Sequence, residues 1–152
     1  MPTEEHHCLC LLKNIQVVFP PSKSPNYVRA RRAQLSARIL RTADSGVGAA
    51  VLLEDGRIFT GANIENASYR LTICAEHTAI AKAVDEAGST LRIRAIAVEN
   101  LNGAASFPCG PCRQILFEFG NPDTWIFAPG ETGAADSSLG DLLPFGFRFK
   151  RE

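Results

Sequence analysis

Three thiols and one carboxylate stand in two separate stretches of this chain: Cys74-Ala75-Glu76, and Pro108-Cys109-Gly110-Pro111-Cys112. On a helix, the spacing of Cys109 and Cys112 puts both sulfurs on one face. A third thiolate from the distant segment completes three protein ligands and leaves one tetrahedral position open. That is the pattern of a catalytic zinc, whereas a structural site closes with four. The fold must then bring the two stretches together. Glu76 lies close enough to Cys74 to reach a metal-bound water without binding the metal itself. A structural zinc knot lacking its fourth ligand, or two unrelated thiol clusters, are the alternatives, and both leave Glu76 and the open position unexplained.

The chain has 152 residues, 45% hydrophobic and 21% charged, which fits one soluble domain with a continuous core. Lysine plus arginine and aspartate plus glutamate number 16 each. A protein that holds nucleic acid by its phosphates usually shows a basic excess, so no nucleic-acid partner is expected. The balance fits a small, nearly neutral substrate. No basic residue precedes the apolar run Leu9 to Phe19, which Lys13, Asn14 and Gln16 interrupt. That run is neither a secretory signal nor long enough to span a bilayer, so no membrane partner is expected. A cytoplasmic, reducing location leaves the five cysteines free to bind metal.

Residues 1–26 read as an appended tail ending in Pro20-Pro21-Ser22-Lys23-Ser24-Pro25, and residues 27–152 as a single domain. His6, His7, Cys8 and Cys10 form either an accessory metal cluster or an inert terminus. Tyr27 to Thr42 predicts a helix with a solvated arginine face. Gly48 to Leu53 and Arg57 to Ala62 predict strands joined by Glu54-Asp55-Gly56, a hairpin signal. Ile73, His77, Ile80, Val84 and Ala87 form a helical stripe with Cys74 and Glu76 in its first turn and Gly88 as its stop. Ile93 to Val98 predicts a buried strand. Cys112, Ile115, Leu116 and Phe119 mark a second helix with Pro111 near its start. Trp125 to Ala128 predicts a strand and Leu139 to Leu143 a short helical turn. Strands alternating with buried helices imply an α/β fold, a three-layer α/β/α sandwich with a mixed central sheet. Both cysteine motifs then fall at helix starts, where the dipole favours thiolate.

From about Val47 to Phe147 the chain resembles the cytidine deaminases of the small, homotetrameric, three-cysteine zinc class. The resemblance rests on Val47-Gly48-Ala49-Ala50, Asn63-Ile64-Glu65-Asn66-Ala67-Ser68-Tyr69 and Cys74-Ala75-Glu76. It continues through Pro108-Cys109-Gly110-Pro111-Cys112-Arg113-Gln114 and Leu142-Leu143-Pro144. It implies Zn2+ held by Cys74, Cys109 and Cys112, with Glu76 as the catalytic proton shuttle between water, N3 of the base and the departing ammonia. It further implies hydrogen bonds from Asn63 and Glu65 to the ribose, and substrate contacts from Ala75, Tyr69 and Phe147, the aromatics partly across subunit boundaries. The implied reaction is hydrolytic deamination of cytidine and 2′-deoxycytidine in pyrimidine salvage, on a small-molecule pyrimidine nucleoside, by a homotetramer.

Three positions depart from the family pattern. His77 stands where an arginine usually donates to the thiolates. Either it donates to the metal-binding thiolates in the arginine's place, with Arg113 supplying the rest, or it is a hydrogen-bonded core histidine. Ser45 replaces a phenylalanine that contacts the base, a loss of about 1 kcal/mol of packing that leaves room for an extra substituent. Phe107 stands where a serine is common, though its carbonyl remains available to the amino group. The alternatives are therefore a deaminase of a modified or antibiotic pyrimidine nucleoside, of the blasticidin type, or a non-catalytic zinc-binding interaction protein. Polynucleotide deamination needs a basic channel and stacking aromatics that the sequence lacks.

Overall fold

The computed structural model describes residues 46–148. The tail, its histidine–cysteine cluster, the Tyr27 to Thr42 helix and Ser45 lie outside the described residues. Strands β1 (Val47–Leu53) and β2 (Ile58–Ala62) pair antiparallel, as the Asp-Gly signal implies. Their turn is closed by the Gly56 N–H donating to Leu53 O at 3.1 Å. Asp55 accepts from the Arg57 N–H and Nε–H at 3.0 and 2.8 Å. Helix α1 (Ala75–Ala87), β3 (Ile93–Asn100), α2 (Gly110–Phe119), β4 (Trp125–Gly130), β5 (Gly133–Ser138) and the short α3 (Leu139–Leu142) follow.

The sheet order is β2-β1-β3-β4-β5. β1 runs antiparallel to both β2 and β3, while β3 and β4 are parallel, so β2, β3 and β4 all point the same way. α1 follows the end of β2 and α2 follows the end of β3. The starts of both helices are thereby placed at one edge of the sheet, at the carboxyl ends of the parallel strands, where open α/β sheets commonly bind ligands.

All three described helices pack on one face, against Ala49, Val51, Leu53, Ile96 and Ile126, with Leu116 of α2 and Leu139 of α3 in the same cluster. The opposite face, formed by Ala50, Leu52, Ala95, Ala97 and Phe127, is also buried, as a covered sheet requires. The buried face of α1 differs from the expected stripe: it consists of Ala75, Glu76, Ala79, Ile80 and Ala83. Of the predicted positions only Ile80 is fully buried, whereas His77, Val84 and Ala87 flank the seam and Ile73 is exposed. Close approach explains the shift. A Cβ at Gly61 of β2 would lie 2.4 Å from the Ala79 nitrogen and 2.6 Å from the Ala75 oxygen. Helix and strand are in backbone contact there, which favours small side chains at Ala75 and Ala79. Gly88 ends α1 with φ 79°, a conformation open to glycine.

Candidate active site

Cys74 and Cys109 are the N-cap residues of α1 and α2, and neither side chain makes a capping hydrogen bond. An N-cap side chain ordinarily turns onto the helix's own free N–H groups; here both sulfurs are left for another partner. Cys112 sits in the first turn of α2 and is buried. Cys74 Sγ lies 3.9 Å from Cys109 Sγ, across 35 residues of chain. Cys109 Sγ and Cys112 Sγ lie 3.2 Å apart, and all three sulfurs fall within 4.8 Å of one another. Two helix N-termini converge on this cluster, and their dipoles favour negative sulfur.

The electrostatics of the donor set call for a cation. Burial pushes the Cys74 thiol up, an effect that a hydrogen bond from Cys112 partly offsets. Burial, and then the nearby Glu76 carboxylate, push Cys112 up as well. Packed acids that raise one another's proton affinity ionise when a divalent cation sits among them, and a trio of thiolates suits zinc. The residues present fit the metal.

Beside the sulfurs is a cavity of about 230 Å3. Its lining includes Cys74, Ala75, Glu76 and Cys109 from the two helix starts, and Asn63, Glu65 and Thr72 from the segment between β2 and α1. The rest comes from Val47, Val98, Ser106 and Phe107. Glu76 is only 5% exposed, one of two buried polar or charged side chains among the described residues. Asn63 and Glu65 reach the same wall, where Asn63 Nδ2 donates to Glu65 Oε1 and Asn63 Oδ1 accepts from the Val47 N–H at 3.1 Å. An isolated bridge, Ile64 to Ile73, joins the strand end bearing this pair to the residue before Cys74. Its two hydrogen bonds are 2.9 and 3.0 Å long.

The other expected site residues are placed differently. Arg113 directs Nε to Pro108 O at 2.7 Å and a guanidinium N–H to Leu142 O at 3.2 Å. The hydrogen bonds it makes are to carbonyls rather than sulfurs, and they tie the residue before Cys109 to α3. His77 has its Nε2 buried and, among the described residues, without a hydrogen-bond partner. Through Nε2, among the described residues, it makes neither the expected bond to a thiolate nor that of a core histidine. Tyr69, in a 3₁₀ turn over Tyr69–Leu71, is 87% exposed and Phe147 is 70% exposed; neither lines the cavity of its own chain. Thr72, Val98 and Ser106 line the cavity but were not singled out from sequence. Thr72 and Ser106 are polar residues just ahead of the two cysteine motifs, a signal that was legible.

Comparison with known proteins gives this arrangement its relatives. A family model described as the cytidine and deoxycytidylate deaminase zinc-binding region matches residues 26–128. The chain belongs to that family. Its deaminase domain is 45% identical to the cytidine deaminase of Mycobacterium tuberculosis (strain H37Rv) over 101 residues, 66% of this chain and 71% of the relative. It is 41% identical to the cytidine deaminase of Sporosarcina psychrophila over 102 residues, 66% of this chain and 74% of that one. Among solved structures, the cytidine deaminase from Burkholderia pseudomallei superposes with a TM-score of 0.66 at 35% identity, covering 78% of this chain and 98% of the other. The Mycobacterium tuberculosis enzyme gives a TM-score of 0.65 at 35% identity, covering 77% and 97%. The deaminase domain therefore has an α/β, cytidine-deaminase-like fold, and its cofactor is Zn2+.

Proposed function

We propose that this protein hydrolytically deaminates cytidine and 2′-deoxycytidine, giving uridine or 2′-deoxyuridine and ammonia. The observation that carries the reading is the buried Glu76 carboxylate in a cavity wall shared with Cys74 and Cys109. Cys74, Cys109 and Cys112 would hold the zinc. When bound there, the metal supplies Lewis-acid activation of water near neutral pH. Glu76 takes a proton from the attacking water and delivers it to N3 of the pyrimidine, which makes C4 electrophilic so that the hydroxide adds there. It then takes the second proton from that oxygen and gives it to the amino nitrogen, and the C4–N bond breaks to release ammonia. Asn63 and Glu65 hydrogen-bond the sugar hydroxyls, and Ala75 packs beside the base. His77 and Arg113 act behind the ligands, Arg113 by fixing the Pro108 carbonyl next to Cys109.

The wall chemistry favours a nucleoside over a nucleotide. Among the described residues the cavity carries two carboxylates, Glu65 and Glu76, and no lysine, arginine or histidine. A doubly charged 5′-phosphate would meet these two carboxylates with no cationic side chain among the described lining residues. Exposed apolar side chains support assembly into a homotetramer: Ile64, Tyr69, Leu71 and Ile73 in the β2–α1 segment, and Phe145 and Phe147 near the end of the described chain. Tyr69 and Phe147 would then complete a neighbouring subunit's cavity. No described helix is long and apolar enough to cross a membrane. A cytoplasmic role in pyrimidine salvage accords with Cys74, Cys109 and Cys112 standing outside disulfides among the described residues.

The test is ammonia release from cytidine, 2′-deoxycytidine and their 5′-monophosphates, with zinc content measured in parallel. Both nucleosides turn over, and the monophosphates are poorer by about a hundred-fold or more in kcat/KM, a difference of ~3 kcal/mol. Glu76→Gln keeps its zinc and loses about 10²–10⁴-fold in kcat. Normal turnover by Glu76→Gln sinks the assignment of the proton shuttle.

A further inference from the structure

The connection from β3 to α2 supplies Ser106, Phe107 and Cys109 to the cavity, yet residues 101–105 are all exposed. No burial in the core fixes this stretch. Its backbone is tied by Leu101 N–H to Gly46 O at 2.8 Å, Gly103 N–H to Asn100 O at 2.9 Å and Ser106 N–H to Pro129 O at 3.0 Å. Between these ties runs one side chain. Asn100, the last residue of β3, accepts the Asn102 N–H on Oδ1 at 2.9 Å and donates from Nδ2 to Ser106 Oγ at 2.9 Å. Ser106 Oγ in turn donates to Ala104 O at 3.1 Å. The amide thus grips the connection at its start and at the point where it becomes cavity wall.

Cys109 has separate anchors. The Arg113 N–H donates to Cys109 O at 2.9 Å, and Arg113 Nε holds Pro108 O at 2.7 Å. The Asn100–Ser106 contact therefore shapes the wall ahead of the metal ligand rather than the ligand itself. We infer that Asn100 and Ser106 form a positioning pair that sets the substrate-facing wall of the deaminase cavity, so that their loss weakens nucleoside binding and spares the metal. This rests on the deaminase reading above.

The inference is tested on the full-length, zinc-loaded protein with Asn100→Ala, Ser106→Ala, the double variant and Ser106→Thr. Steady-state kinetics on cytidine, zinc content and thermal melts are measured for each. Either alanine variant raises KM about five- to ten-fold, the effect of one lost hydrogen bond together with a looser wall, while kcat stays within about two-fold. Zinc stays at the wild-type level. The double variant is no worse than the weaker single, because the two side chains act as one unit. Ser106→Thr keeps the hydroxyl and restores KM. Unchanged KM in both alanine variants, additive effects, or loss of zinc and kcat together with the melting temperature each overturn the pair. Wild-type protein inert on cytidine overturns the deaminase reading, whereas active wild type with unaltered variants removes only the pair.

Discussion

Four acidic groups, the thiols of Cys74, Cys109 and Cys112 and the carboxyl of Glu76, crowd one corner of the sheet. This crowding has a pH signature in the metal-free protein. Burial raises the folded-state pKa of Cys74 and Cys112, so the folded chain holds those protons more tightly than the unfolded one does. Where the unfolded chain begins to release them, above pH of about 8.5, the folded state gains nothing and its stability falls with further rise in pH. Thermal melts of chelator-treated protein should drop from pH 8 to pH 10. Zinc-loaded protein should show little of that drop, since its thiolates are already ionised and paired. Parallel pH curves for the two forms would contradict the account. The Cys-x-x-Cys half of the cluster is a local signal that the sequence shows, whereas Cys74 joins it only through the fold, across 35 residues of chain. That Arg113 would turn to carbonyls was not legible, since it depends on where α3 arrives.

At the scale of elements, the seam between α1 and β2 governs the site, because α1 carries Cys74 at its cap and Glu76 in its first turn. Gly61→Ala inserts a Cβ against backbone atoms of Ala75 and Ala79, which cannot rotate away as a side chain end would. The expected outcome is about 1–3 kcal/mol of destabilisation in denaturant melts, with weaker zinc retention, because the helix must lift from the strand. Wild-type stability and zinc content would show that the contact is looser than the geometry says. Most elements were visible in the chain: the β1–β2 turn announced itself in Asp55-Gly56, and α1 in its helical periodicity and the Gly88 stop. The face of α1 was misread by one residue because bulk was taken as the sign of burial. In a backbone contact the buried positions are the small ones, Ala75, Ala79 and Ala83. β5 was missed for a related reason. Gly133 to Ser138 has no apolar alternation, and what defines it is pairing with β4.

At the scale of the molecule, the described chain leaves aromatic rings in water while holding their backbone firmly. Gln114 Nε2 donates to Phe147 O at 2.7 Å, and the Arg148 guanidinium lies 4.3 Å from the centre of the Phe117 ring. A fixed segment presenting Phe145 and Phe147 outward fits a surface that meets other copies of the chain. Phe147→Ala and Tyr69→Ala should each shift the sedimentation profile toward smaller species and raise KM, since both rings are proposed to complete a neighbour's cavity. An unchanged profile together with unchanged KM would remove that role. One consequence follows from the short bridge between Ile64 and Ile73. Because it welds the segment bearing Asn63 and Glu65, the proposed sugar contacts, to the residue preceding Cys74, reshaping that segment to alter sugar preference would also disturb metal retention. Variants selected for new nucleosides should accumulate their changes elsewhere, on walls that carry no ligand.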